Sequence, residues 1–480
     1  MSVTTAKKFL FKNIIFAFIL LLGAVFCFSA CGINSGFDDG PSATDIVTGN
    51  GTSSIVYGDY VYYVNGYTPS SEVGDTNVYG KVSYAAVYRT KLTDGKVVEN
   101  DKQYDEDGNE IFDKTQGIKD TGILVPKICG YEHTKLYIFD NYLYYTTPGN
   151  QVAKDGTIQS DYIDFCRIKI DGHSRGEKLF TSKTSMSQVT YFMQPFSNKA
   201  YLIVLDGNIL KIGECTKNGF SLKTIDEDYV VSSVAQTRYT KSDESIASID
   251  DGVYFTYTND DTTTGNLLAK YSFETKEISN VGLINNSEYT LIGSIGGRLY
   301  YNKSVVTNPG TSGAYLFYNT LDGSEFLQGE RQLSNNAYSA SNIYLFNAES
   351  AGAYVNNGSN IYKFDANGNK TQIIEGSATI IAQKGDFLFY TLDNKLYRKD
   401  LSSGNDAEEL VELADNDAVK KTLSVVSKSC VFYMKEYTNS ENTSYYFHMI
   451  NTDIQTDDGN YDHFIGVLQE KDYLDEPTEE

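Results

Sequence analysis

An aromatic-rich strand pattern recurs eight times along the chain, and this recurrence limits the fold more than any other feature. The anchors are Tyr60-Val61-Tyr62-Tyr63, Tyr142-Leu143-Tyr144-Tyr145, Ala200-Tyr201-Leu202-Ile203, Gly252-Val253-Tyr254-Phe255, Arg298-Leu299-Tyr300-Tyr301, Gly352-Ala353-Tyr354-Val355, Phe387-Leu388-Phe389-Tyr390 and Cys430-Val431-Phe432-Tyr433. Each is usually followed by a second strand-like run that closes on a tight polar turn. Repetition at intervals of tens of residues marks a repeat architecture, and here every unit reads as strand. A propeller of small sheets around an axis meets that description.

The fifth unit shows the pattern most fully. Tyr289 to Ile295 predicts a first strand, Gly296-Gly297 a turn, Arg298 to Asn302 a second strand and Ala314 to Thr320 a third. Asp322-Gly323 then leads into a fourth around Phe326-Leu327. In the seventh unit Thr379 to Gln383, Phe387 to Leu392 and Lys395 to Asp400 are predicted strands, with Lys384-Gly385-Asp386 and Ser403-Gly404 as turns. Asp94-Gly95, Asp171-Gly172 and Asn367-Gly368 are further turns. Tyr, Phe, Ile and Val suit a pleated, half-buried surface, and Asp-Gly or Gly-Gly supplies the positive φ of short hairpins. The consecutive apolar residues fit sheets buried on both faces by their neighbours. The expected fold is therefore all-β: a single β-propeller of four-stranded blades across residues 55–468. Eight anchors predict eight blades, and seven would result if the last unit only completes the first. One short helix is expected within Asn405 to Lys421.

Residues 1–30 read as a leader. Lys7, Lys8 and Lys12 precede an apolar run from Ile14 to Phe28, shorter than the roughly 20 residues of a spanning helix. Phe28-Ser29-Ala30-Cys31-Gly32 resembles the lipidation site of bacterial lipoprotein signals, with Phe28 where Leu is usual. That resemblance makes Cys31 the lipidated N-terminus, residues 31–54 a flexible tether and the location extracytoplasmic, on the bacterial cell membrane. The alternatives, an uncleaved anchor or a plain secretory signal, also place the bulk of the chain outside the cytoplasm. Residues 469–480 form an acidic tail.

The formal charge is −23, and losing the three leader lysines makes it −26. Such a chain repels phosphate backbones, so nucleic acid is excluded as a partner, and charge alone will not hold it to an anionic membrane. Cys129, Cys166, Cys215 and Cys430 show no zinc-type spacing. An extracellular address permits disulfides among them in three connectivities, but they lie in or beside strand-like runs, where free Cys behaves as a small apolar residue, and the buried, unpaired state is expected.

Candidate chemistry is sparse. The 39 Tyr and 25 Phe could form sugar-stacking surfaces, but their regular place in each unit points to packing between blades. Asp105-Glu106-Asp107-Gly108-Asn109 and Asp457 to Asp462 crowd oxygen ligands, yet Glu110 and Gln116 stand where a calcium loop needs Gly and Glu. No metal site and no cofactor site is expected. His133, His173, His448 and His463 lie in unrelated contexts, and no Gly-x-Ser-x-Gly elbow occurs. No catalytic residue can be chosen among 63 Asp and Glu.

The repeats resemble those of the low-density-lipoprotein-receptor type of propeller. The matching stretches are Leu299 to Asn302 with Leu316 to Gly323, Phe389 to Thr391 with Leu396 to Asp400, and Phe165 to Gly172. Tyr or Phe replaces the Trp of the receptor pattern. A closer likeness is to bacterial lipoproteins carrying such receptor-like repeats. The resemblance implies fold and family but no catalytic residue.

The expected function is a monomeric, membrane-anchored binding module for a protein or an envelope glycan at the cell surface. The insertions Gly66 to Lys81 and Glu99 to Asp120, the latter with a small hairpin across Tyr104 to Phe112, are the expected contact loops. A glycan hydrolase using Asp or Glu near the channel is the runner-up, and an envelope assembly scaffold the third reading.

Overall fold

The computed structural model describes residues 41, 44–49, 51–69, 82–95, 103–104, 110–111, 120–149, 151–152, 158–217, 219–225, 228–235, 251–258, 267–283, 289–295, 298–308, 310–320, 326–345, 353–365, 367–438, 443–455 and 459–467. They form an eight-bladed, all-β propeller in which the four strands of every blade pair as an antiparallel meander in chain order.

Blade 1 comprises Ser54–Tyr57, Tyr60–Asn65, Ala86–Lys91 and Thr121–Val125. Blade 2 comprises Tyr137–Asp140, Tyr142–Pro148, Ile163–Lys169 and Glu177–Thr181. Blades 3 and 4 follow from Val189–Phe196 to Gly219–Thr224 and from Val230–Val234 to Ile278–Leu283. Blade 5 runs from Tyr289–Ile295 to Glu330–Ala337, and blade 6 from Ile343–Tyr344 to Lys370–Glu375. Blade 7 holds Thr379–Lys384, Phe387–Leu392, Lys395–Asp400 and Glu408–Glu412. Blade 8 holds Ser424–Val425, Cys430–Thr438, Thr443–Asn451 and Asp462–Phe464.

The described residues of all eight aromatic anchors fall on the second strand of a blade. That strand has neighbours on both sides within its sheet and a blade against each face, so Tyr60–Asn65 is buried along its whole length. Outermost strands such as Gly219–Thr224 are largely exposed. Tight hairpins set the register. Leu392 pairs with Lys395 across Asp393 and Asn394, whose φ values of 49° and 59° belong to a mirror-image turn favoured by Asn and Asp. Asp94-Gly95 turns the same way, with φ of 53° and 75°.

The third strands carry an inter-blade tie. Arg89, Arg167 and Arg398 pair in register with Tyr62, Tyr144 and Phe389, the third residue of their blade's anchor. Each guanidinium covers the first anchor ring, at 4.7 Å over Tyr60, 4.4 Å over Tyr142 and 5.3 Å over Phe387. Each then donates to a backbone carbonyl of the next blade: Ile170 at 2.9 Å, Gly219 at 3.3 Å and Lys428 at 2.7 Å. A charge-assisted bond of this kind contributes about 1.5–3 kcal/mol.

Among the described residues no strand is shared between the first and last blades. Their faces merge into one apolar cluster that includes Ile55, Tyr63, Val87, Phe432, Phe447 and Ile465. Tyr63 O–H donates to Ile465 O at 2.6 Å, and its ring lies 5.9 Å from that of Phe447.

Three expectations change. Phe326–Gly329 is a short helical turn, and the fourth strand of blade 5 is Glu330–Ala337, which carries the partner of Lys303. Within 405–421, Glu408–Glu412 is the outer strand of blade 7, because Arg398 and Lys395 on the adjacent strand pair with Glu408 and Glu409. The helix is Asp417–Thr422, capped by Asn416, whose side chain accepts from Val419 N. Thr44–Thr48, placed in the tether by the sequence, is a strand on the free edge of Tyr137–Asp140, where it pairs with backbone that the blade leaves open. The hairpin near 104–112 is present, with Gln103 opposite Ile111.

Candidate functional site

In a four-stranded meander, the first and third connections leave one rim and the second connection leaves the other. Gly66 to Lys81 joins the second and third strands of blade 1, and Glu99 to Asp120 joins the third and fourth. The two insertions expected to act together therefore leave opposite rims. The first residue of the Thr44–Thr48 strand lies beside Asp140, at the rim of the Glu99 to Asp120 insertion.

On that same rim an open polar cleft of about 290 Å³ lies between blades 7 and 8, lined by Phe387, Arg398, Glu408, Lys428, Ser429, Thr452, Asp453 and Tyr461. Phe387 and Arg398 are brought together by the first hairpin of blade 7 and its neighbouring strand. Lys428 and Ser429 form the first turn of blade 8, and Thr452 and Asp453 its third. Arg398 organises the wall. Its Nε and Nη2 donate to Glu408 Oε2 at 3.1 and 2.6 Å, and its Nη1 donates to Lys428 O and to Thr452 Oγ1 at 3.0 Å. Tyr461 is 40% exposed, and its hydroxyl accepts from Gln455 Nε2 at 3.2 Å. The insertion rim of blade 1 reaches this turn: a Cβ placed on Gly95 would lie 3.5 Å from Ile454 Cδ1.

The three residues of the outer strand of blade 8 are held by a half-buried polar relay. Asp462 accepts from Tyr433 O–H at 2.9 Å and bonds His448 Nδ1 at 2.9 Å, while His448 Nε2 bonds the Tyr437 hydroxyl at 2.7 Å. Burial raises the Asp462 carboxyl, but the bond and charge of His448, with Tyr433 and Lys435, bring it below its ordinary value. Burial also pushes Tyr437 up to about 12, with Asp462 adding to the effect. The relay contains an imidazole and a carboxylate but no serine or cysteine, and its tyrosines hold their protons. It braces a strand.

A second, more apolar groove of about 220 Å³ lies between blades 3 and 4, lined by residues including Phe192, Ile203, Leu205 and Val234.

The other expected residues disperse. His133 offers its backbone carbonyl to Tyr191 O–H at 2.5 Å, and His463 Nε2 bonds Ile454 O at 3.1 Å. Cys129, Cys166, Cys215 and Cys430 are buried and unpaired with one another. Among the described residues no three His, Cys, Asp or Glu converge as metal ligands. Cys31 and Asp105 to Asn109 lie outside the described residues, as do 457–458 of the second acidic segment.

No family model matches the chain, and no curated protein matches it. Solved structures do. The chain is similar to the β-propeller domain of the trilobed protease from Pyrococcus furiosus, at 10% identity and a TM-score of 0.40, with 77% of this chain and 100% of that one covered. It is similar to a puromycin hydrolase at 12% identity and a TM-score of 0.41, covering 68% of this chain and 52% of that chain. Prolyl oligopeptidase B from Galerina marginata matches at 14% identity and a TM-score of 0.38, covering 86% and 57%. The chain thus spans little more than half the length of these two proteins, whereas it covers the whole of the propeller domain.

Proposed function

We propose that this propeller is an extracytoplasmic binding module, lipid-anchored through Cys31 after loss of residues 1–30, that recognises an envelope component through the cleft between blades 7 and 8. Its kinship with receptor-like propeller lipoproteins belongs to the same reading. The observation that carries it is the cleft: residues of both charges line an opening at the junction of two blades, where Arg398 holds Glu408 and the Lys428 carbonyl. Binding sites gather on loops presented by a rigid scaffold, and this cleft sits among three such turns.

The test is binding of the purified protein to isolated cell envelope. Saturable binding that is lost in the Tyr461→Ala and Asp453→Asn variants supports the reading, and binding indifferent to both overturns it. Glu408 and Asp453 line the same cleft, which favours glycan hydrolysis as a second reading. Turnover of an envelope polysaccharide that Glu408→Gln abolishes would replace binding by catalysis. Replacing Cys31 by Ser should move the protein from the membrane fraction to the soluble one, and unchanged sedimentation would remove the anchor.

A further inference from the structure

Three polar groups in the cleft have no partner among the described residues. Glu408 uses only Oε2 toward Arg398, so Oε1 is an open acceptor held in place. Asp453 and Lys428 line the same opening, and their side chains make no ion pair or hydrogen bond among the described residues. Two aromatic rings, Phe387 and the exposed Tyr461, share the lining. The formal charges cancel, Arg398 and Lys428 against Glu408 and Asp453. The surrounding chain carries −23 and turns away polyanions.

From this we infer that the cleft takes an uncharged, polyhydroxylated ring: the terminal residue of a neutral glycan. The inference rests on the binding reading above and specifies its ligand. A hydroxyl both donates and accepts, so neighbouring hydroxyls on one ring satisfy the carboxylates and the ammonium together. The C–H face of the ring lies on Tyr461, the exposed ring of the lining, because Arg398 already covers Phe387. A phosphate- or carboxylate-bearing polymer meets only one open cation, against two carboxylates and the field of the chain. At about 290 Å³ the opening lies at the lower end of the roughly 300–1,000 Å³ of small-molecule sites, which suits a chain end rather than an extended polymer.

The full chain is titrated calorimetrically with glucose, galactose and N-acetylglucosamine, each as the monosaccharide and as its β-linked tetrasaccharide. The expected result is saturable binding of at least one tetrasaccharide, weakened about tenfold or more by Tyr461→Ala and by Asp453→Asn. Thr190→Ala, in the groove between blades 3 and 4, should leave the affinity unchanged. Tyr461 and Asp453 are exposed, so matching thermal midpoints will show that the variants fold. Absence of saturable sugar binding overturns the inference, as does binding equal in the cleft variants and the parent. Saturable binding of a dipeptide at this cleft instead also overturns it. If envelope binding remains dependent on the cleft while no neutral sugar competes, the ligand assignment fails and the binding module stands. If envelope binding is itself absent, both fail.

Discussion

Asn65 grips Val467 with both ends of its side-chain amide, although the two residues lie 402 positions apart. Nδ2 donates to Val467 O at 2.8 Å, and Oδ1 accepts from Val467 N at 2.8 Å. An amide side chain here imitates the backbone of a neighbouring strand and joins blades 1 and 8, which share no strand among the described residues. Asn65→Ala should lower the unfolding free energy by about 1–3 kcal/mol, since it strands backbone groups at a buried seam. Urea denaturation measures it, and an unchanged midpoint would remove Asn65 from the closure.

Asp206 and Lys211 form a buried ion pair in blade 3. Asp206 also accepts from Lys183 N at 2.6 Å, Thr184 N at 2.9 Å and Thr184 Oγ1 at 2.6 Å, fastening the loop that enters the blade. Burial works against its ionisation, yet Lys211 and these donors hold the carboxyl below its ordinary value. Asp206→Asn leaves the Lys211 charge without its counter-ion and should cost about 3–5 kcal/mol. Asp206→Leu combined with Lys211→Met should cost less than the single change. A double variant as damaged as the single one would contradict this account.

Asp462 gives a pH signature. Its folded carboxyl lies below the unfolded value, so its stabilisation is complete above about pH 4 and is lost as the pH falls through the folded value. Unfolding measured from neutral pH downward should therefore weaken below about pH 4 more steeply in the parent than in Asp462→Asn. Superimposable profiles would show that the His448 and Tyr433 bonds confer no such advantage.

The thiols supply a fourth prediction. Burial is the leading cause that pushes Cys166 and Cys215 up to about 12 and holds Cys129 well above its ordinary value. At about pH 8 a thiol reagent should leave Cys129, Cys166, Cys215 and Cys430 unmodified in the native protein and label all four after denaturation, as peptide mapping would show. Labelling of any of them in the native state would refute the packing described.

Much of the fold was legible because burial on two faces leaves a trace in composition. Tyr62, Tyr63, Tyr300 and Tyr301 stand in unbroken apolar runs since each side of their strand meets another blade. Phe326-Leu327 misled the reading of blade 5, because two apolar residues after an Asp-Gly turn serve a helical turn as well as a strand. The cleft left no such trace. Phe387, Arg398 and Glu408 belong to one unit and Lys428, Asp453 and Tyr461 to the next, so the site is a property of a junction, whereas the repeat pattern describes a unit. Arg398 was visible within Leu396-Tyr397-Arg398, but its reach into blade 8 depends on the distance between sheets. The relay of His448 with Asp462 likewise depends on strand pairing, which sets His448 opposite Phe464 and Ile450 opposite Asp462.

Thr44–Thr48 gives the molecule a mechanical asymmetry. A pull on Thr44 from the N-terminal side meets its pairing with Asp140, in the first strand of blade 2, before it can reach blade 1. The seam that joins Asn65 to Val467 lies farther along the chain, in blades 1 and 8. Load on Thr44 therefore falls first on a paired sheet and only afterwards on the seam that completes the circle.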